Sequence, residues 1–113
     1  MSDIVYINIE EGLKRVMNNA MLFAKLLSKF KNYTHISEIE AAFAENDLEA
    51  ALNSAHTLKG LAANLSLTEL YKQVQELEAQ IKIGTENNEL LEKIKGVHAK
   101  TLEEADKVIS QYA

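Results

Sequence analysis

The chain has 113 residues, 47% of them apolar and 26% charged, with a net charge of −5 and no cysteine. That is the length of one domain, 1–113, able to bury a core without staples; its composition is that of an ordinary globular protein and argues against disorder, and the absence of cysteine excludes disulfides, thiolate metal sites and a cysteine nucleophile. No apolar run approaches the roughly 20 residues that span a bilayer, the N-terminus lacks a signal-peptide pattern, and no basic block offers phosphate-backbone binding. A cytoplasmic protein with no membrane insertion and no nucleic-acid partner is expected.

Proline is absent and Leu, Ala, Glu and Lys dominate, which favours helix almost throughout. The one β-like run, Ile4–Ile9, is short and terminal. A short lead helix is expected over about Ile9–Met17. A second covers about Asn19–Lys31, with Leu22, Phe23, Leu26, Leu27 and Phe30 on one buried face. A third begins after Thr34, a plausible N-cap, and buries Ile36, Ile39 and Phe43. Asp47 caps a fourth, which runs to about Leu65. Ser66-Leu67-Thr68-Glu69 reads as a capping box opening a fifth, which buries Leu67, Leu70, Tyr71, Val74, Leu77 and Ile81. Gly84-Thr85 ends that helix and caps the last, about Glu86–Gln111. The fold expected is all-α: an antiparallel four-helix bundle with a short additional N-terminal helix.

The three histidines have different settings. His35 falls in the first turn of a helix and reads as a surface residue. His98 lies on the apolar stripe of the last helix and reads as a packed one. His56 differs. At about 100° per residue, with Leu48 at zero, the apolar centre of Leu48, Ala51, Ala55, Leu58 and Ala62 falls near 320° and His56 near 80°, at the margin of the buried face. Gly60 and Ala63 follow on the same strip, and small residues there leave the imidazole uncovered. A helix-interior glycine costs about 1 kcal/mol relative to alanine. On spacing alone, Gly60 reads equally as an opening for a visitor or as packing against a neighbouring helix. Lys59 would hold the imidazole neutral and attract phosphoryl oxygens, or simply extend into solvent.

The run Ala55-His56-Thr57-Leu58-Lys59-Gly60, continued by Leu61-Ala62-Ala63-Asn64-Leu65, resembles the signature of histidine-containing phosphotransfer (HPt) domains. Glu11–Val16, Leu26–Phe30 and Leu77-Glu78 resemble other parts of the family pattern, which commonly has glycine where this chain has Ser66. The resemblance implies a phosphorelay intermediate. His56 would accept a phosphoryl group from an aspartate of one receiver domain and surrender it to another. Lys59 would stabilise phosphoryl charge and Gly60 would give steric access. No cofactor is implied in this chain; Mg²⁺ is expected in the receiver's acidic pocket. Leu52, Ala63 and Gln75 are candidate docking residues around His56. The partners implied are receiver domains of response regulators or a hybrid sensor histidine kinase, met by a monomer.

The chain has no glycine-rich phosphate loop, so autonomous kinase activity is not expected. The alternative from another class is a non-catalytic bundle that binds a receiver without chemistry; the intact His56, Lys59, Gly60 triple favours the carrier. A metal- or cofactor-binding bundle needs paired inward carboxylates with histidines, and the sequence lacks them. The initial methionine and the full set of helices point to a free-standing protein rather than a piece of a hybrid kinase.

Overall fold

The computed structural model describes residues 4–112, and these form six helices: α1 Ile9–Arg15, α2 Ala20–Phe30, α3 His35–Ala44, α4 Leu48–Asn64, α5 Thr68–Lys82 and α6 Asn88–Tyr112. No strand occurs among the described residues. The β-like segment at Ile4–Ile9 instead runs irregularly into α1, burying Ile7 and donating the Asn8 N–H to the Ser66 carbonyl.

Local chemistry sets most of the boundaries. Asn8, Asn19 and Asp47 each accept an N-terminal N–H of the helix they precede, at 3.0–3.2 Å. Thr34 precedes α3 but its hydroxyl turns to Glu38 and makes no cap bond. α6 begins two residues later than expected because Asn87, not Thr85, accepts the Leu90 N–H. Gly84, at φ +85°, closes α5: its N–H reaches Ile81 O and the Thr85 N–H reaches Gln80 O.

Ser66 corrects the expected capping box. It sits at φ +56°, just past the end of α4, with its N–H on Ala63 O and the Leu67 N–H on Ala62 O. It is therefore the left-handed C-terminal stop of α4. Leu67 takes the N-cap position of α5 without any side-chain bond. A glycine preference at this position follows from the backbone conformation. Serine is held there by its hydroxyl, which donates to Glu11 Oε1 at 2.8 Å.

Short turns fold α3, α4, α5 and α6 back on one another, with α4 packed between α3 and α5, and α6 against α5 and α2. Lys31 at the end of α2 pairs with Asp106 and Glu40 in α3 pairs with Lys95. Thus α2 and α3 run in tandem, antiparallel to α6, and together make the fourth pillar of the bundle. The core takes Phe23, Leu27, Phe30, Ile39, Leu58, Leu67, Leu70, Leu77 and Ile94. Leu22, expected inside, is exposed, because the stripe of α2 centres on Phe23 and Leu27. Tyr71 and Ile36 are only half-buried.

α1 is pinned to this bundle through Gly12. A Cβ built there would lie 2.5 Å from the Phe23 ring, whose side chain is fully buried. Gly12→Ala gains helix propensity but must displace a core ring, so it is expected to destabilise the protein by about 1–3 kcal/mol. The midpoint of urea unfolding measures this; an unchanged or higher midpoint would contradict the packing account.

Candidate functional site

The inner face of α4 is nearly all small: Ala51, Ala55 and Ala62 are fully buried, with Leu58 among them. Small side chains let helices approach at the near end of the usual 8–10 Å range. One consequence lies at the open edge of the α4–α5 seam, where Glu78 of α5 reaches two side chains of α4. Its Oε2 lies 2.7 Å from His56 Nδ1 and its Oε1 2.5 Å from Lys59 Nζ.

The exposures are opposed. The Glu78 side chain is 3% exposed and that of His56 is 71% exposed. An anion is thus buried under an imidazole that stands in solvent. Burial pushes the Glu78 carboxyl up, but the hydrogen bonds from Lys59 and His56 outweigh it and leave the group below the usual carboxylate range. Its bond to Glu78 raises the Lys59 ammonium. An ionised carboxylate only accepts hydrogen bonds, so Nδ1 of a neutral His56 carries the hydrogen. The lone pair is then on Nε2, the ring's outer nitrogen.

Lys59 therefore differs from its expected setting. Its ammonium is bonded to Glu78, and the charged group bonded to the imidazole is the carboxylate. Gly60 is exposed, and a Cβ there would meet nothing within 4 Å. It packs against no other helix, so the open-approach reading of this glycine fits the geometry. Leu52, one turn before His56, is half-buried. Ala63, two turns after it, is half-buried, and Gln75, one turn before Glu78, is exposed.

Glu78 is the residue that sequence reasoning did not place in the site. The other histidines lie elsewhere. His98 is packed as expected: its ring is 5.9 Å from that of Phe30, and burial pushes its imidazole below the ordinary value. His35 is half-buried rather than a surface residue, edge-on to Tyr33 with ring centroids 5.8 Å apart.

The fold and site define a class: a helical bundle that displays one exposed histidine anchored by a buried carboxylate. A model of the Hpt domain matches residues 31–109, more than two thirds of the chain. The chain belongs to the Hpt-domain family, whose members serve phosphotransfer in phosphorelay signalling and interact with receiver domains. No curated protein and no solved structure matches it significantly. Among the described residues, no helix is long and apolar enough to cross a membrane, and no group of three or more acidic or histidine side chains is placed to hold a metal ion.

Proposed function

We propose that this chain is a phosphorelay intermediate, carrying a phosphoryl group on His56 Nε2 between the aspartates of two receiver domains. The observation that carries the reading is the exposed imidazole whose inner nitrogen is bonded to the buried Glu78 carboxylate. In the forward step, the Nε2 lone pair attacks the phosphorus of the receiver's aspartyl phosphate. The bond from phosphorus to the aspartyl oxygen breaks, and the carboxylate leaves with the electron pair. Nδ1 keeps its proton, so the ring becomes cationic as the new bond forms, and Glu78 lies 2.7 Å away to balance that charge. The reverse step on a second receiver regenerates the neutral ring.

Lys59 keeps Glu78 ionised and has two further N–H donors for phosphoryl oxygens. Mg²⁺ belongs to the receiver's acidic pocket and supplies charge neutralisation there. This chain contributes position and electrostatics. Leu52, Ala63 and Gln75 border the approach and are the proposed docking contacts. The protein acts as a monomer in the cytoplasm. The test is incubation with a panel of phosphorylated receivers, followed by mapping of acid-labile label: label on His56 supports the reading, and its absence with every receiver refutes it.

Gly60 supplies a second check. Gly60→Gln adds a good helix former at an uncrowded site, so stability should hold or rise by up to about 1 kcal/mol. Transfer from a receiver should nevertheless slow by on the order of 10-fold or more, because the added side chain stands one turn from the imidazole. Equal transfer rates for the two proteins would leave Gly60 without a role in access.

A further inference from the structure

The fourth pillar of the bundle is built from two helices, and its joint is residues 31–34, between the end of α2 and the start of α3. The joint is poorly satisfied. α3 starts without a side-chain cap, because the Thr34 hydroxyl donates to Glu38. Nδ1 of His35 is buried and has no hydrogen-bond partner. Buried polar atoms without partners cost stability. α3 packs chiefly on α4, so few contacts hold the joint to α6.

Those contacts centre on a cluster of four rings. His98 of α6 lies 5.9 Å from Phe30, Phe30 lies 6.0 Å from Tyr33, and Tyr33 lies 5.8 Å from His35, all between ring centroids. Phe30 is fully buried and His98 half-buried. Two ion pairs flank the rings: Lys31 of α2 with Asp106 of α6, and Glu40 of α3 with Lys95 of α6. Both are partly exposed, and exposed pairs contribute little. Their carboxylates are already engaged by lysines, Glu38 of α3 takes the Thr34 hydroxyl, and Glu103 of α6 pairs with Lys100. Among the described residues no acidic group pairs with His98, and burial alone sets its imidazole below the ordinary value.

We propose that this cluster is an acid-operated latch: neutral His98 holds the α2–α3 joint on α6, and uptake of a proton by its ring releases the joint while the rest of the bundle stays closed. The proposal is independent of the phosphorelay reading, since none of the four rings belongs to the His56 site. The sign follows from solvation. In the closed form a proton on His98 must be carried by a half-buried ring with no acidic partner; in the open form water solvates it. Opening is therefore insensitive to this group above the ordinary imidazole value of about 6.5 and is favoured as pH falls below it. The opening is local because the joint is uncapped and lightly held, whereas α4, α5 and α6 share the main core.

The experiment is amide hydrogen exchange on the full chain between about pH 7.5 and about pH 5.5, with rates converted to opening constants after correction for the pH dependence of the exchange chemistry. In the unmodified protein, opening constants for residues 27–39 should rise several-fold across this range, while those of Leu70, Val74 and Leu77 in α5 change much less. His98→Phe keeps a ring against Phe30 and His98→Gln keeps a polar group; neither titrates, so in both the rise at the joint should disappear. An equal rise in the variants would overturn the latch by assigning the effect to other groups. A rise of the same size throughout the bundle would also overturn it, because the opening would then be global. A readout that needs no variant is the His98 ring itself, followed by NMR in the unmodified chain. Its midpoint should lie below about 6.5, with the Phe30 and Tyr33 ring signals shifting in step. A midpoint at or above that value, or neighbouring rings that do not respond, would refute the proposal.

Discussion

Replacing His56 by glutamine is expected to abolish phosphoryl acceptance while leaving the fold intact. The imidazole is mostly outside the core, so little packing is lost. The glutamine amide can still donate to Glu78, so the buried carboxylate keeps a partner on that side. Stability should stay within about 1 kcal/mol of the unmodified protein, the range of surface substitutions with a retained bond. An amide nitrogen has no free lone pair to attack phosphorus, so acid-labile label from a phosphorylated receiver should fall to background. Label retained by a folded His56→Gln protein would place the acceptor elsewhere.

The second large effect is expected at Glu78. Glu78→Ala removes the acceptor that holds the imidazole in one tautomer and, in the proposed transfer, the anion that balances the ring as phosphorus bonds to it. It also leaves the Lys59 ammonium unneutralised beside that ring. A hydrogen bond to a charged group contributes about 1.5–3 kcal/mol, so transfer should slow on the order of 10- to 100-fold. Glu78→Gln keeps an acceptor but loses the charge, and should fall between the two. Single-turnover transfer from a labelled receiver measures both; rates equal to the unmodified protein would remove Glu78 from the mechanism. Acid stability gives an independent reading. The folded carboxyl lies below its ordinary value, so its contribution is full above the unfolded pKa and is lost as pH falls through the folded one. That part of the acid loss should be missing from Glu78→Gln in thermal unfolding below about pH 5.

The sequence carried much of this arrangement, and the failures have physical causes. His56, Lys59 and Gly60 lie on one helix, where a spacing of three or four residues fixes which side chains are neighbours. Glu78 lies 22 residues away on another helix. Between Leu77 and Ala79 it reads as an ordinary solvated charge, and only the close approach of α4 and α5 makes it buried and shared. Ser66 was ambiguous for a different reason. Ser-x-x-Glu fits a capping box, but the turn is so short that the residue ending α4 immediately precedes the cap position of α5. The left-handed backbone needed at the first position decides the outcome. Gly12 could be placed in a helix from its neighbours, but its reason for being glycine is the Phe23 ring, a tertiary contact that no helical spacing reveals.

The single open side of the His56 ring has a consequence for traffic through a relay. In the proposed relay through His56, donor and acceptor receivers must both reach Nε2 from that side, because Nδ1 is occupied by Glu78 and the bundle lies behind it. The two cannot be bound at once, so each turnover is a handover in two visits, with a free phosphorylated carrier in between. Throughput is then capped by how quickly a spent receiver leaves. A receiver that binds too tightly, even one fully competent in the chemistry, would act on this protein as an inhibitor.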